Sequence, residues 1–255
     1  MLSSIVDCTL VLTLASRKDR HRAIFHHLKE DVGMENIYLY TVEGNQKKQR
    51  NNGGDRTIGL MEILTHSATD ETSNDIFKNH IAMIRWAYER GYQRVLFLEE
   101  DARFDSIDEA MIKRAGAWMD QNSWDIFYLG YCTWPIVAAF PLAINIVRLP
   151  SPYLSHAYIM NRTGMEKILD HPALHNIHID KFLATMPNLI KVGIYPSICF
   201  QENEPALYEE AKKKLHIPLS FRTMSRTLEM IAVLWPIVLL LAFCFYLILR
   251  YKRIM

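Results

Sequence analysis

The sequence predicts an α/β fold that closes on a C-terminal transmembrane helix. Three observations predict it. Short apolar runs rich in β-formers alternate with stretches of helical period, in a βαβ-like rhythm. One of those runs, Val95-Leu96-Phe97-Leu98, ends abruptly in three acids, Glu99-Glu100-Asp101. Near the C-terminus, Met230 to Leu249 is twenty residues without a charge. As a helix it would cover roughly 30 Å, about the thickness of the bilayer hydrocarbon.

At 255 residues the chain can bury a substantial core, and one domain is expected once the apolar segment is set aside. A formal net charge of +1 argues against a general nucleic-acid binder, which carries a marked basic excess. Cys8, Cys132, Cys199 and Cys244 are scattered with no CxxC spacing. They suggest neither a zinc site nor a disulfide framework, which favours a reducing compartment for the soluble part.

In chain order, Cys8 to Leu14 reads as a buried first strand. It runs into Ser16-Arg17-Lys18-Asp19-Arg20 and then a helix with Ile24, Phe25 and Leu28 on its inner side. Arginines just past a strand tip can clamp a phosphate through charge-assisted hydrogen bonds, or form only a solvated first helical turn. Ile37 to Val42 is a second strand. Gly44 to Thr57 is a polar, basic, glycine-bearing loop, flexible ballast or a lid. Ile76 to Tyr88 has helical period and stops at Gly91, after which comes the Val95 strand.

Ser106 and Glu109 have capping-box spacing for a helix reaching about Met119, and Thr163 with Glu166 repeats the pattern for a later one. Strands are expected at Asp125 to Leu129, at Tyr158 to Met160 and at Lys191 to Ile198. Val137 to Leu149 is apolar but broken by Pro141. His175 to Leu183 is a second cluster of chemistry-bearing residues. Asn161-Arg162-Thr163 is a formal glycosylation sequon that overlaps a helix start.

The acids after Leu98 carry the functional reading. In an extended backbone Glu99 and Asp101 point one way and Glu100 the other. Two carboxylates at the carboxyl end of a sheet strand suit a hard divalent cation, Mg²⁺ or Mn²⁺, and ligands of open α/β sheets bind at that end. The alternative is an acidic strand-to-loop junction that is merely solvated.

The soluble domain is read as residues 1–205, an amphipathic linker as 206–229, the span as 230–249 and a short basic tail as 250–255. The linker's lysines and arginines suit lipid headgroups. Basic residues flank the span on both sides, so charge asymmetry does not orient it. With no basic leader at the N-terminus, the expected topology is a C-terminal anchor with its domain in the cytosol. The closing Lys-Arg-Ile-Met resembles a dibasic retrieval signal, which requires the opposite orientation.

Four segments together resemble glycosyltransferase family 25, the lipopolysaccharide and collagen galactosyltransferase type. They are LTLASRKDR, NHIAMIRWAYERGYQRVLFLEEDARF, WDIFYLG, and HAYIMNRTGMEKIL followed by IHID. Their order and spacing cover about residues 8 to 205. The middle acid is Glu100 where the family usually has Asp, and of the usual Ser-His only His80 remains, after Asn79.

The resemblance implies a GT-A fold, a Rossmann-like sandwich that uses a nucleotide-sugar donor and usually Mn²⁺. It places Glu99 and Asp101 on the metal and Arg17, Arg20, His80, Glu100 and His156 near the donor, with His178 close by. Asp180 is the candidate base of an inverting transfer, or a local partner of Lys181. The expected function is a membrane-anchored hexosyltransferase, moving galactose or glucose to a glycan or glycoconjugate. The alternatives are a catalytically silent transferase-like assembly protein on a membrane and a metal-dependent phosphoesterase.

Overall fold

A computed structural model describes residues 1–42, 71–105, 107–133, 138–171, 178–202, 212 and 219–252. In chain order the elements are β1 (Cys8–Leu14), α1 (Lys18–His26), β2 (Ile37–Val42), α2 (Glu71–Glu89), β3 (Arg94–Glu99) and β4 (Ala102–Phe104). There follow α3 (Glu109–Gln121), β5 (Ile126–Cys132), β6 (Phe140–Ala143), β7 (Ile146–Arg148), β8 (Tyr153–Asn161) and α4 (Arg162–Leu169). The chain then forms α5 (Ile179–Thr185), β9 (Lys191–Ile194), β10 (Cys199–Gln201) and α6 (Phe221–Lys252).

The fold is mixed α/β around a large central sheet, ordered β2-β1-β3-β8-β5-β9-β7-β6. β1 runs parallel to β2 and β3, while β8 runs antiparallel between β3 and β5. A separate two-stranded ribbon pairs β10 with β4.

The period-two rule explains the layering. Val95 and Phe97 face one core with α2, α4, α5 and the base of α6, through Met83, Ile84, Met165, Phe182 and Val233. Leu96 and Leu98 face the other core with α1 and α3, through Ile24, Leu28, Ile112 and Met119. A strand buried on both faces needs the unbroken apolar run that β3 has.

Several elements depart from the sequence expectations. α1 buries Ile24 and the π-helical turn that continues it buries Leu28, but Phe25 is left 40 % exposed. The capping box expected at Thr163 and Glu166 does not form. Asp108 caps α3 by accepting from the Ala110 N–H, and Asn161 caps α4 by accepting from the Gly164 N–H; Ser106 lies outside the described residues. Asn161 also donates to the Trp124 carbonyl, so the sequon's side chain is a structural cap rather than an exposed acceptor. Gly130 lies inside β5 instead of ending it. The expected Lys191–Ile198 strand stops at Ile194, and the chain resumes extended pairing at Cys199. Within the apolar stretch broken by Pro141, Phe140–Ala143 and Ile146–Arg148 form the β6–β7 hairpin; residue 137 lies outside the described residues. The loop 44–57 and His175 lie outside the described residues.

The expected boundary between linker and span falls within one continuous helix. α6 begins at Phe221, and its base is docked on the domain: Arg222 and Arg226 both pair with Asp105, and Glu229 is only 1 % exposed. The two arginines are therefore spent on the protein rather than on headgroups. The helix is long and apolar enough to cross a membrane. Its outer surface from Leu234 to Phe243 is largely exposed Leu, Ile, Val, Trp and Phe.

Asn161→Ala should cost about 1–2 kcal/mol of stability, the usual penalty for losing an N-cap. Urea unfolding of the full chain measures it, and an unchanged midpoint would remove Asn161 from the cap.

Candidate active site

The site is built at the carboxyl end of β3, where regular pairing ends at Glu99 and the chain turns through Glu100 and Asp101 into β4. Alternation sends the first two acids to opposite sides of the sheet. Glu99 shares the face of Val95 and Phe97 and meets α2, α5 and β8. Glu100 turns toward the start of α1.

On the Glu99 side, Ser155 Oγ donates to Oε1 at 3.1 Å and Gln201 Nε2 donates to Oε2 at 3.4 Å. His80 Nε2 lies 3.7 Å from Oε1, and the Glu99 side chain is 27 % exposed. Burial alone would raise the Glu99 carboxyl, but His80, His156 and Ser155 outweigh it and hold it below its ordinary value. His80 is fully buried on α2 and fixed from its other side by Tyr158 Oη, 3.1 Å from Nδ1.

The register of β3 with β8 pairs Phe97 with Tyr158 and Leu98 with Ala157, which brings Glu99 opposite His156. His156 is 2 % exposed, and its Nε2 sits 3.4 Å from the Cys199 carbonyl. A carbonyl can only accept, so Nε2 carries the hydrogen in this pair. Nδ1 is buried with no hydrogen-bond partner among the described residues. Burial lowers the His156 imidazole against the pull of Glu99, which leaves Nδ1 a bare acceptor. Asp180, in the first turn of α5, sits within electrostatic reach of both. Its carboxyl is raised by burial first and by the Glu99 charge second, and its Oδ1 is, like His156 Nδ1, a buried polar atom without a hydrogen-bond partner among the described residues.

On the opposite side, Glu100 accepts from Thr13 Oγ1 at 2.5 Å, from Arg17, and from Arg20 at 3.3 Å. The two arginines are 40 % and 34 % exposed and the glutamate 12 %. They present a half-open pair of guanidinium groups whose present counter-ion is a protein carboxylate. Asp101 lies on the ribbon side of the turn. Its carbonyl accepts from the Glu202 N–H at 2.8 Å, and its charge adds to burial in raising the Cys199 thiol.

The structure thus gathers Glu99, His80, His156 and Asp180 in one buried cluster and Arg17, Arg20 and Glu100 in a second. Asp101 stands between Glu99 and β10. His178 precedes α5 as its N-cap residue without a side-chain cap bond. Among the described residues, no group of three or more His, Cys, Asp or Glu side chains is placed to hold a metal ion. Hard cations at phosphate sites need only one or two carboxylates, because substrate oxygens and water complete the shell. Glu99 ends β3 and Asp101 lies two residues on, in the turn before β4, so these are the oxygen donors that could supply such carboxylates.

Sequence reasoning missed Ser155, Gln201, Thr13 and Gly130. The first three lie 56, 102 and 87 residues from the acids they serve, and no local pattern marks them. Gly130 had a signal, a glycine inside an apolar β run. A Cβ there would stand 2.2 Å from His156 Nε2 and 2.4 Å from the Cys199 carbonyl oxygen. The strand gives up a side chain so that the imidazole can lie against its backbone.

Gly130→Ala should displace His156, cost about 1–3 kcal/mol through overpacking, and change the imidazole signals of His156 in NMR spectra. Retained His156 signals at parental stability would contradict this packing.

No family model matches the chain. Human inactive glycosyltransferase 25 family member 3 is 26 % identical over 191 residues, 71 % of this chain and 31 % of the relative. Human procollagen galactosyltransferase 2 is 23 % identical over 202 residues, 74 % of this chain and 32 % of the relative. The chain spans about a third of the length of these curated relatives. Among solved structures, A197 from STIV aligns with a TM-score of 0.44 at 13 % identity, covering 78 % of this chain and 95 % of that one. A UDP-glucose pyrophosphorylase complexed with UDP-glucose aligns at 0.43 and 9 % identity, covering 82 % and 98 %. The curated homologues of this chain are glycosyltransferase 25 family members.

Proposed function

We propose that this chain is a GT-A-like, membrane-anchored glycosyltransferase that moves a hexose, galactose or glucose, from a nucleotide-sugar to a glycan or glycoconjugate. The observation that carries the reading is geometric: His156 Nδ1 and Asp180 Oδ1 are buried without a hydrogen-bond partner among the described residues, beside a Glu99 carboxylate held by Ser155 and Gln201. Burial pushes the Asp180 carboxyl up while Glu99 is held down. Groups whose environments push their proton affinities apart are how one site assigns acid–base roles.

In an inverting transfer a carboxylate must take the acceptor hydroxyl's proton on the face opposite the leaving group. Asp180 Oδ1, buried and lacking a hydrogen-bond partner among the described residues, suits a hydroxyl that donates to it. Arg17 and Arg20 are the groups for the donor's diphosphate, which would take the place of Glu100 on their guanidinium nitrogens. His156 Nδ1 is a buried acceptor for a sugar hydroxyl, and His80 holds Glu99 in place. A divalent cation held by Glu99 and Asp101 would supply positive charge to the departing diphosphate. The C-terminal helix would keep the domain at the surface that carries the acceptor and so raise its effective concentration.

A second reading is a catalytically silent, transferase-like assembly protein. It is supported by the closed Arg17–Glu100 pair and by the word "inactive" in the names of two relatives.

The test uses the full chain in lipid nanodiscs with Mn²⁺ and a panel of nucleotide-sugars. The transferase reading expects slow release of nucleotide from at least one donor. Asp180→Asn should lower transfer to acceptor by about 10²-fold or more with unchanged affinity for nucleoside diphosphate. Asp101→Asn should abolish metal-dependent nucleotide binding at an unchanged circular dichroism spectrum. Neither turnover nor calorimetric binding of any nucleoside diphosphate would establish the silent reading instead.

A further inference from the structure

We infer that the base of α6 is a wall of the active site rather than the start of a tether, and that Glu229 is a positioning residue for the acidic turn. The effect on catalysis rests on the transferase reading; the mechanical coupling does not.

Glu229 is 1 % exposed on an otherwise apolar helix, where an uncompensated carboxylate would be costly. It is fully engaged. Oε1 accepts from the Ser197 N–H and from Tyr131 Oη, each at 2.8 Å, and Oε2 accepts from Ser197 Oγ at 2.9 Å. Ser197 opens the five-residue stretch whose far end reaches the site: Cys199 presents its carbonyl to His156, and Gln201 donates to Glu99 Oε2. Glu229 thus grips the chain two residues ahead of β10, while the far end of β10 touches Glu99.

The partner strand is gripped as well. β4 leads from the acidic turn to Asp105, and Asp105 pairs with both Arg222 and Arg226. Arg222 also lies over the Phe200 ring, 3.9 Å from its centroid. Both strands of the ribbon that follows the acidic turn are therefore held by the same stretch of α6, about two turns from Arg222 to Glu229. A cavity of about 20 Å³ between His156, Cys199 and Gln201 on one side and Arg222, Ser225 and Arg226 on the other marks the seam.

Pro236 completes the attachment. A proline inside a helix leaves the carbonyl four residues back without its N–H partner. That carbonyl belongs to Ala232, and the Ala139 N–H, just ahead of β6, donates to it at 2.9 Å. The residue that breaks the helix ladder also creates the acceptor that bonds the helix to the sheet. Exposed apolar side chains appear at Met230 and Ile231 and continue immediately beyond, at Leu234 and Trp235. A shift of the helix in the bilayer is therefore transmitted to the ribbon and to the carboxylates at its turn.

The test compares parent, Glu229→Ala, Glu229→Gln and the double variant Arg222→Ala/Arg226→Ala, each as the full chain in lipid nanodiscs. Amide hydrogen exchange is read in residues 99–105 and 197–202, with β1 as the reference. Glu229→Ala should speed exchange about tenfold in both segments, the scale of losing a hydrogen bond to a charged group, and leave β1 unchanged. It should also raise the KM for the nucleotide-sugar several-fold more than it lowers kcat. Glu229→Gln should restore both readouts, because its amide oxygen still accepts from Ser197 and Tyr131 and its NH₂ can donate to Ser197 Oγ. The double variant, at half-exposed positions that do not threaten folding, should speed exchange in 99–105 and decides the matter if Glu229→Ala fails to fold. Parental exchange in 99–105 in Glu229→Ala and in the double variant, or a rise spread equally over β1, would overturn the inference. A parent chain that releases no nucleotide would overturn the transferase reading and leave the exchange result to judge this one.

Discussion

Three acids in sequence at the end of a buried strand repel one another if they share one space. Here the pleat of β3 and the turn that follows divide them. Glu99 is carried to the face of α2 and α5, where His80, Ser155 and Gln201 compensate it. Glu100 is carried to the other face, where Thr13, Arg17 and Arg20 do so. Asp101 is left beside the ribbon. The division depends on the register of β3 between β1 and β8: a slip of one residue would exchange the two faces and place Glu100 among the buried histidines.

This arrangement also explains why polar groups are buried so deeply near the site. His156 and Asp180 lie in a low-dielectric pocket formed by the same aromatic side chains that make the core, Tyr128 and Tyr158 among them. The pocket discourages charge on both groups while Glu99 retains its own. Buried polar atoms without partners are rare in folded proteins, and each calls for an explanation. Three of them, His80 Nε2, His156 Nδ1 and Asp180 Oδ1, lie around Glu99, and the proposed transfer would supply sugar hydroxyl groups to such atoms. Gly130 belongs to the same design, since only a residue without Cβ lets β5 pass His156 at that distance.

Much of the frame was legible in the chain because it rests on local periodicity. β1 and β2 have the bounds that the apolar runs indicate, and the opposite directions of Glu99 and Glu100 follow from alternation alone. The helix caps were misread because the spacing at Ser106 and Thr163 matches a capping box, whereas the N-caps are Asp108 and Asn161, which lack that spacing and simply accept a backbone N–H. The partners of the acids were invisible, since Ser155, Gln201 and Thr13 reach them through sheet pairing across long stretches of sequence. The base of α6 was the largest surprise. Composition marks a change at Met230, whereas the physical boundary is set by Glu229 and Pro236, one buried through hydrogen bonds and the other freeing a carbonyl for the sheet.

The central claim is that the turn after β3 and the first turn of α1 together receive a nucleoside diphosphate. The most direct measurement is an experimental structure of the full chain with nucleoside diphosphate and Mn²⁺. The account predicts the phosphates on Arg17 and Arg20, Glu100 displaced from them, and the metal on Glu99 and Asp101. A diphosphate bound instead in the open groove lined by Arg85 and Trp86, with the Glu100 pairs intact, would contradict it.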